Sequence, residues 1–318
     1  MLTTNLIKDA AQNLHFDACG VVPLHPLPSE QQQRFDGWIA RGHHAQMSYL
    51  RRFANKRTDP RLMLRTGAKT AVVVLFSYNT RQQQPQHLPQ VSRHAYGADY
   101  HALLKKRLWA LLKELQKTNP KLRGRTFADT APLQERYWAA AAGLGWIGKN
   151  GMLINKRLGS YVYIGILLLD AAVEDAALPA LAKNLCGTCT RCLDACPTQA
   201  FVGNALVDSH RCHSYRTIEA HSCEKSEEAS NENLPPSRFI YGCDICQEVC
   251  PWNAKAVVVH HPETQLHPLL QTLTREDWLA MSNEEFEKNF ENSTIKRATA
   301  EGMRRNVRAQ KNYGSNNY

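Results

Sequence analysis

The sequence lacks any long apolar run. The longest such stretch, residues 161–169, has nine residues, whereas a helix needs roughly 20 to cross a bilayer. Lys8 and Asp9 interrupt residues 1–22, so this stretch has no continuous apolar segment of the kind found in signal peptides. These absences argue against membrane-spanning and exported proteins. They predict a cytoplasmic protein, in which cysteines stay reduced.

The sequence is also poor in acidic residues. It has 29 Asp and Glu against 39 Lys and Arg, a formal net charge of +10. A concentrated basic excess suits a polyphosphate partner such as nucleic acid, although solvated helix faces give the same pattern. The excess lies at residues 105–107 and near the C-terminus, at Lys296, Arg297, Arg304, Arg305, Arg308 and Lys311.

A phosphate loop is missing as well. Residues 143–151 contain four glycines, a density that brings the backbone close to a ligand or turns it tightly. However, Lys149 is followed by Asn150 instead of Ser or Thr, and the glycine spacing does not fit. The pattern therefore excludes a loop of the P-loop kind.

Cysteine is what the sequence does have, and seven of its ten cysteines lie in two runs. The first run, residues 186–197, reads C-x2-C-x2-C-x3-C-P, and the second, residues 243–251, reads C-x2-C-x3-C-P. Three thiolates two residues apart wrap one iron-sulfur cluster, while the cysteine before proline ligates the other cluster of a pair. The runs therefore predict two 4Fe-4S clusters.

The second run lacks the leading cysteine of a full set. Two cysteines between the runs, Cys212 and Cys223, are candidates for the missing ligand. Zinc also uses C-x2-C pairs and is the alternative metal, but its sites do not call for a cysteine-proline ending. The crossed assignment gives one cluster Cys186, Cys189, Cys192 and Cys250, and the other Cys196, Cys243, Cys246 and either Cys212 or Cys223.

The rest of the chain predicts an α+β protein in three parts. Residues 1–175 alternate strand and helix patterns, including a continuous apolar run at 70–76 and a periodic helix capped by Asp99, and predict an α/β domain. Residues 176–260 form a ferredoxin-like two-cluster domain, with short helices after Cys196 and Cys250. Residues 261–318 form a helical basic tail with helix starts at Thr274 and Ser282, and the chain from 304 onward carries no core pattern.

Two clusters carry single electrons, so the simplest interpretation is an electron carrier. A domain of about 175 residues is larger than a carrier needs. It suggests a second cofactor at which the electrons are used.

Six stretches in order along the chain then resemble one family. They are 96–101 (YGADYH), 129–132 (DTAP), 143–150 (GLGWIGKN), the first cysteine run with 197–201 (PTQAF), 211–215 (RCHSY) and 240–246 (IYGCDIC). The chain resembles the epoxyqueuosine reductases, cobalamin and iron-sulfur enzymes that reduce epoxyqueuosine to queuosine at the wobble position of tRNA.

The resemblance implies roles for single residues. The isolated cysteine in the R-C-x-S-Y context matches Cys212, which leaves Cys223 and Cys19 as spare thiols. The family's proton donor matches Asp129, with Tyr100 orienting substrate or donor, while cobalamin reduced to Co(I) through the clusters attacks the epoxide carbon. Such a donor needs a carboxyl kept protonated by burial or nearby negative charge. Without the resemblance, Asp129 is better interpreted as a helix N-cap.

The same match implies a cobalamin site. Arg57 would contact a side-chain amide or the phosphate of the cofactor, and Lys149 and Asn150 would approach the corrin. Ser214 and Asp244 would approach it from the cluster side. The expected cofactor-binding set is Arg57, Tyr96, Asp129, Lys149, Asn150, Leu153, Ser214 and Asp244.

The expected partners are tRNA carrying epoxyqueuosine and an unidentified electron donor, with no membrane and a monomeric chain. Family members often continue into helical repeats that help to hold the tRNA. Here the basic tail is expected to take that role through Arg304, Arg305 and Arg308. The alternatives are a reductive dehalogenase-like corrinoid enzyme and an electron-transfer iron-sulfur protein.

Overall fold

The computed structural model describes residues 2–176, 181–220, 235 and 237–310. Its strands, numbered along the chain, are β1 Ala18–Pro23, β2 Thr70–Ser77, β3 Gln90–Val91, β4 Gly124–Phe127, β5 Trp146–Ile147, β6 Leu153–Ile154, β7 Val162–Leu169, β8 Phe201–Gly203, β9 Leu206–Val207 and β10 Phe239–Tyr241.

The α-helices are short except for α4. They are α1 Thr4–Asn13, α2 Ser29–Ala40, α3 Ala54–Thr58, α4 Tyr100–Thr118, α5 Glu135–Ala141, α6 Arg191–Asp194, α7 His213–Ile218, α8 Ile245–Glu248, α9 Pro251–Ala254, α10 Arg275–Ala280, α11 Asn283–Asn289 and α12 Thr299–Ala309. Further 3-10 turns lie at Ser48–Arg51, Pro60–Met63, Arg93–Ala95, Pro262–Thr264, Pro268–Gln271 and Thr294–Ala298.

A four-stranded sheet in the order β1-β2-β7-β4 forms the centre of the N-terminal half. Its neighbouring strands are all antiparallel. Every residue of β2 is buried, as the continuous apolar run predicts. Since side chains alternate between the two faces of a strand, Val72 and Val74 pack with α1 and α4 in one core, while Val73 and Leu75 pack with α5 in a second. The predicted α+β class is confirmed.

The C-terminal segment has its own core, contrary to the sequence-based expectation for residues 304 onward. Met303 and Val307 of α12 are buried against Trp278, Phe286 and Phe290. The capping boxes at Thr274 and Ser282 start α10 and α11, as predicted. The expectation was wrong because the apolar residues of α12 pack against helices that lie earlier in the chain, and polar residues between them dilute the pattern.

This third core also joins the three predicted parts. It contains Val91 and Tyr96 from the N-terminal part and Ile240 and Tyr241 from the cysteine-rich part. Strand β10 pairs in parallel with β3 beside it. The C-terminal helices therefore pack on both preceding parts, and the predicted domain boundaries remain predictions.

Two of the tail arginines serve this packing. Arg304 donates to the carbonyl of Met281 and to Asn283 Oδ1, and Arg305 donates to the carbonyls of Ala220 and Arg216. Arg308 is exposed, while Lys311 lies outside the described residues. Neutralising Arg304, Arg305 and Arg308 together would therefore disturb the fold as well as any RNA contact.

The cysteine-rich part differs locally from expectation. Helix α9 follows Cys250 as predicted. The chain after Cys196 instead turns into the hairpin β8-β9, so the predicted helix there is wrong.

Among the described helices, none combines the length and the apolar character that a membrane span requires.

Asn306 provides a test of how the third core is joined to the rest. Its side chain, 7% exposed, donates to the carbonyls of Thr217 and Ile240 at 2.9 and 2.8 Å. We expect Asn306→Ala to lower the free energy of unfolding by about 2 kcal/mol, because two buried carbonyls lose their donors. Urea unfolding measures this. Arg308→Ala, at an exposed site of the same helix, should stay within about 0.5 kcal/mol of wild type, and equal losses in the two variants would contradict the assignment.

Candidate functional site

Four cysteines from the two runs line one cavity of about 70 Å³. They are Cys186, Cys189, Cys192 and Cys250, the set expected for the first cluster. Lys149 lines the same cavity and donates from Nζ to the carbonyl of Cys189 at 2.9 Å. Asn150, which is buried, and Trp252 are also part of the lining.

The other four cysteines of the crossed assignment also lie together. Burial raises the pKa of Cys243 to about 12, and the neighbouring thiols of Cys212 and Cys196 act in the same direction. Cys246 interacts with Cys243 and Cys212 and also with Cys192 of the first set. The two sets are therefore adjacent, and Cys212 lies near Cys243 and Cys246.

Of the two remaining cysteines, only Cys19 belongs to the described residues. Cys19 lies on β1 against the first core, where burial raises the pKa of its thiol to about 12. Cys223 lies outside the described residues. Within the described ranges no three His, Cys, Asp or Glu side chains converge to hold a single metal ion. The ligands of a 4Fe-4S cluster stand around a bulky cluster instead of meeting at one point.

Asp129 is held by two neighbouring residues of α4. Its Oδ2 accepts the hydroxyl of Tyr100 at 2.9 Å and lies 3.2 Å from His101 Nε2. The Tyr100 ring stacks on Tyr163 of β7 with a centroid distance of 4.3 Å. The central sheet thus fixes the phenol that binds the carboxylate. Asp129 does not cap a helix, because the N-cap residue of α5 is Gln134.

The protonation of this group differs from expectation. The Asp129 side chain is 62% exposed, although enough protein lies around it for desolvation to act on it. Desolvation acts to raise its pKa, but the hydrogen bonds and charge of His101 and the bond from Tyr100 outweigh it, and the pKa is lowered. The expectation that burial keeps this carboxyl protonated is therefore wrong for this arrangement.

The proton lies on His101 instead. Burial lowers the pKa of the imidazole, but hydrogen bonds to Asp129 and Asp99 raise it to about 9 overall. Nδ1 lies 2.7 Å from Asp99 Oδ1, and Nε2 faces Asp129. At neutral pH the pair is an imidazolium beside a carboxylate.

Glu135 holds the backbone of the same turn. Its Oε1 accepts the N–H of Asp129 at 2.7 Å, and Asp129 has a φ of 58°. A left-handed conformation at a residue other than glycine costs about 1–3 kcal/mol and persists only where neighbours enforce it. Burial, followed by the charge of Asp129, raises the pKa of Glu135 to about 8.

Residues from three distant segments surround Asp129. Arg297 donates two hydrogen bonds to Glu219 at 2.9 and 2.7 Å, and its charge contributes to lowering the pKa of Asp129. Tyr49 bonds to Glu219 and interacts with Asp129. Residues of the N-terminal, cysteine-rich and C-terminal parts of the chain therefore lie near the carboxylate.

Among the residues expected to contact cobalamin, Arg57 has an unused donor. The residue is 7% exposed, its guanidinium lies over the Phe35 ring, and its buried Nε has no hydrogen-bond partner. Burial lowers the pKa of this guanidinium. Ser214 lies two residues from Cys212, in the first turn of α7.

Three other expected contacts have buried side chains that are occupied elsewhere. Tyr96 packs in the third core and Leu153 in the second. Asp244 accepts from Ser92 Oγ and, at 2.7 Å, from the N–H of Arg93. A cavity of about 320 Å³ includes only Tyr96 among the predicted site residues. Cofactor contact at these positions remains a prediction that the side chains do not support.

The sequence analysis missed His101, Glu135 and the Glu219–Arg297 pair. His101 stands in the YGADYH stretch next to Tyr100, so a signal was present, but only the fold brings it to Asp129. Glu135 and Glu219 belong to no motif. Their roles depend on contacts that local pattern does not encode.

Comparisons with known proteins agree with this geometry. The family described as "4Fe-4S double cluster binding domain" matches residues 185–253. The family described as "Epoxyqueuosine reductase QueG, DUF1730" matches residues 57–130. The two matches cover both cysteine runs and the stretch from Arg57 to Asp129.

The similarity to curated proteins extends over nearly the whole chain. Epoxyqueuosine reductase of Cyclobacterium marinum is 37% identical and covers 98% of both chains. That of Leadbetterella byssophila is 38% identical over 95% of this chain and 96% of its own.

Solved structures give the same result. The crystal structure of an epoxyqueuosine reductase with an epoxyqueuosine-modified tRNA-Tyr stem loop has a TM-score of 0.83 at 27% identity, covering 96% of this chain and 80% of that one. A Bacillus subtilis epoxyqueuosine reductase, described with its catalytic aspartate loop swung out of the active site, has a TM-score of 0.81 at 26% identity, with the same coverage. By sequence over its full length and by fold, the chain belongs to the epoxyqueuosine reductase family.

Proposed function

We propose that this protein reduces epoxyqueuosine to queuosine at the wobble position of tRNA, with cobalamin and two 4Fe-4S clusters as cofactors. The observation that carries the proposal is the accessible Asp129 carboxylate, bonded to Tyr100 and His101, in a chain that belongs to this family. The reaction breaks both C–O bonds of the epoxide and forms a C=C bond. It consumes two electrons and two protons, and the oxygen leaves as water.

Several of the predicted contacts fit a large cofactor. The unpartnered buried Nε of Arg57 is a donor that awaits an acceptor, because buried polar groups are normally bonded, and a cobalamin amide or phosphate supplies one. Lys149, Asn150 and Ser214 would approach from the cysteine side. When bound, cobalamin supplies a metal centre that is reduced one electron at a time and is nucleophilic toward carbon.

The cysteine sets support two adjacent clusters. Cys186, Cys189, Cys192 and Cys250 would hold one, and Cys196, Cys212, Cys243 and Cys246 the other. The interaction between Cys192 and Cys246 supports two neighbouring sets, as a path for single electrons requires. The electrons come from a donor that this chain does not identify.

The proton supply is assigned to His101 of α4 and to the Asp129 carboxylate that it contacts. His101 holds a proton at Nε2 at neutral pH, and Asp129 Oδ2 accepts hydrogen bonds from it and from Tyr100. Transfer from His101 to Asp129 would give the carboxyl the proton that the departing oxygen needs, while Tyr100 keeps the carboxyl oriented.

The chain works as a monomer in the cytoplasm, where its tRNA substrate is found and cysteines stay reduced.

Asp129→Asn tests the role of the carboxyl. We expect turnover of epoxyqueuosine tRNA to fall by about 10²–10⁴-fold, the usual contribution of a positioned acid or base. The iron content and the corrin absorbance of anaerobically purified protein should stay unchanged, because Asn keeps the size of the side chain. Asp36→Asn, at an exposed site on α2, is the control. Retained turnover in the Asp129 variant would remove Asp129 from the proposal.

The pH dependence tests where the proton is held. Because the pKa of His101 is raised from its ordinary value to about 9, the imidazole is protonated below that pH and loses its proton above it. We expect kcat to be flat near neutral pH and to fall about tenfold per pH unit well above pH 9. His101→Gln should lower kcat and remove this limb, whereas His87→Gln, at an exposed loop site, should keep the wild-type profile. An unchanged limb in the His101 variant would assign the titration to another group.

A further inference from the structure

A basic, aromatic segment lies exposed beside the site. We call residues 48–56 the 48–56 segment; it runs through a 3-10 turn into α3. Phe53 is 61% exposed and Tyr49 is 44% exposed, and Phe53 is the most exposed large hydrophobic residue in the described part of the chain. Isolated exposed apolar residues are ordinary, but two aromatic rings four residues apart in one loop are a candidate contact surface.

The backbone at Phe53 is strained. Its φ is 55°, in the left-handed region, where a bulky residue is a genuine outlier. Strain of this kind costs about 1–3 kcal/mol and is concentrated at ligand clamps and active sites. No buried packing of the ring offsets this cost, because the side chain faces solvent. A ligand contact would account for holding the ring in this position.

The charge of the segment is of one sign. Residues 48–57 contain two arginines at 51 and 52, a lysine at 56 and Arg57, with no acidic residue. Arg52 is exposed, and Lys56 Nζ lies 5.5 Å from the centroid of the Phe53 ring. Arg51 is oriented by a 3.0 Å bond from its Nε to His44. The aromatic ring therefore stands among cations.

The segment lies near Asp129. Tyr49 bonds to Glu219, which pairs with Arg297, and it interacts with Asp129. The N–H of Gln46 donates to the hydroxyl of Tyr215 at 3.1 Å, which ties the start of the loop to the cysteine-rich part.

We infer that the 48–56 segment binds unpaired nucleotides of the tRNA anticodon loop next to the reacting base, with Phe53 stacking on a base and Arg52 and Lys56 contacting phosphates. Single-stranded RNA is bound in this way, because every base has a face that stacks on an aromatic ring and every linkage has a phosphate. The inference rests on the proposed function and extends it. A protein bound to the same surface would not require unpaired bases. Dependence of binding on unpaired bases therefore distinguishes RNA from a protein as the occupant.

The experiment measures the dissociation constants of cofactor-loaded protein for two RNAs. One is a tRNA-Tyr anticodon stem-loop hairpin, and the other is the stem as a blunt duplex. Phe53→Ala should weaken hairpin binding by roughly 5- to 150-fold, the range for loss of one base stack, and should leave duplex binding within about twofold, since the duplex offers no open base. Alanine, unlike glycine, is also disfavoured in the left-handed region. The variant therefore removes the ring without freeing the backbone.

Two further Phe53 variants test whether an aromatic ring is required or apolar character is enough. A control variant tests whether the position of the ring matters. Phe53→Trp should restore hairpin binding, while Phe53→Leu should not, because leucine is apolar but has no π face. Trp109→Ala is the matched control: Trp109 is 50% exposed with Lys113 Nζ 4.9 Å from its ring centroid, but it lies on α4 outside the segment. It should bind the hairpin like wild type.

The phosphate contacts are tested by salt. Arg52→Ala and Lys56→Ala should each reduce the slope of log K against log salt by about 0.7, the value per contact for a single strand. The inference is overturned if Phe53→Ala binds both RNAs as wild type does, if it weakens both equally, if Trp109→Ala loses as much, or if Phe53→Ala loses corrin absorbance. Because binding is measured apart from turnover, failure to convert epoxyqueuosine would count against the proposed function alone.

Discussion

One buried carboxylate joins the cysteine-rich part to the N-terminal half. Asp244, 1% exposed, accepts from Ser92 Oγ and the N–H of Arg93, and β10 pairs with β3 beside it. Removing one partner of such a bond leaves a buried charge unsatisfied, which is costly. Since Asp244 stands directly after Cys243, this tie fixes the orientation of one cysteine set relative to the sheet.

The same tie positions the proton-bearing residues. From Arg93 the chain passes through one 3-10 turn to Asp99, which caps α4, and the next two residues are Tyr100 and His101. The phenol is stacked on a strand of the central sheet, so the carboxylate it binds has a fixed place. The predicted cluster ligand Cys243 and the Tyr100–His101 pair are thus connected through residues 92–101, and Glu135 holds the turn at Asp129.

Several elements could be predicted because their signals are local. The apolar run of β2, the Asp99 cap of α4 and the capping boxes at Thr274 and Ser282 depend on residues within a few positions of each other. The prediction failed where one sequence pattern fits two environments. Arginines 304 and 305 look like a free basic patch in the sequence, but they are donors to backbone carbonyls in the fold.

By itself the sequence predicted seven of the eight cluster ligands, because their spacing is fixed by covalent connection, and it left Cys212 or Cys223 for the eighth. Cys212 and the carboxylate of Asp129 were singled out by the resemblance of short motifs to one family. Only the tertiary structure decided that the proton of the site lies on His101 and that Arg297 and Glu219 stand near Asp129. The pairs His101–Asp129 and Glu219–Arg297 are 28 and 78 residues apart in the chain. A pKa depends on the charges that folding brings within a few ångströms, and these charges come from segments that no local pattern connects.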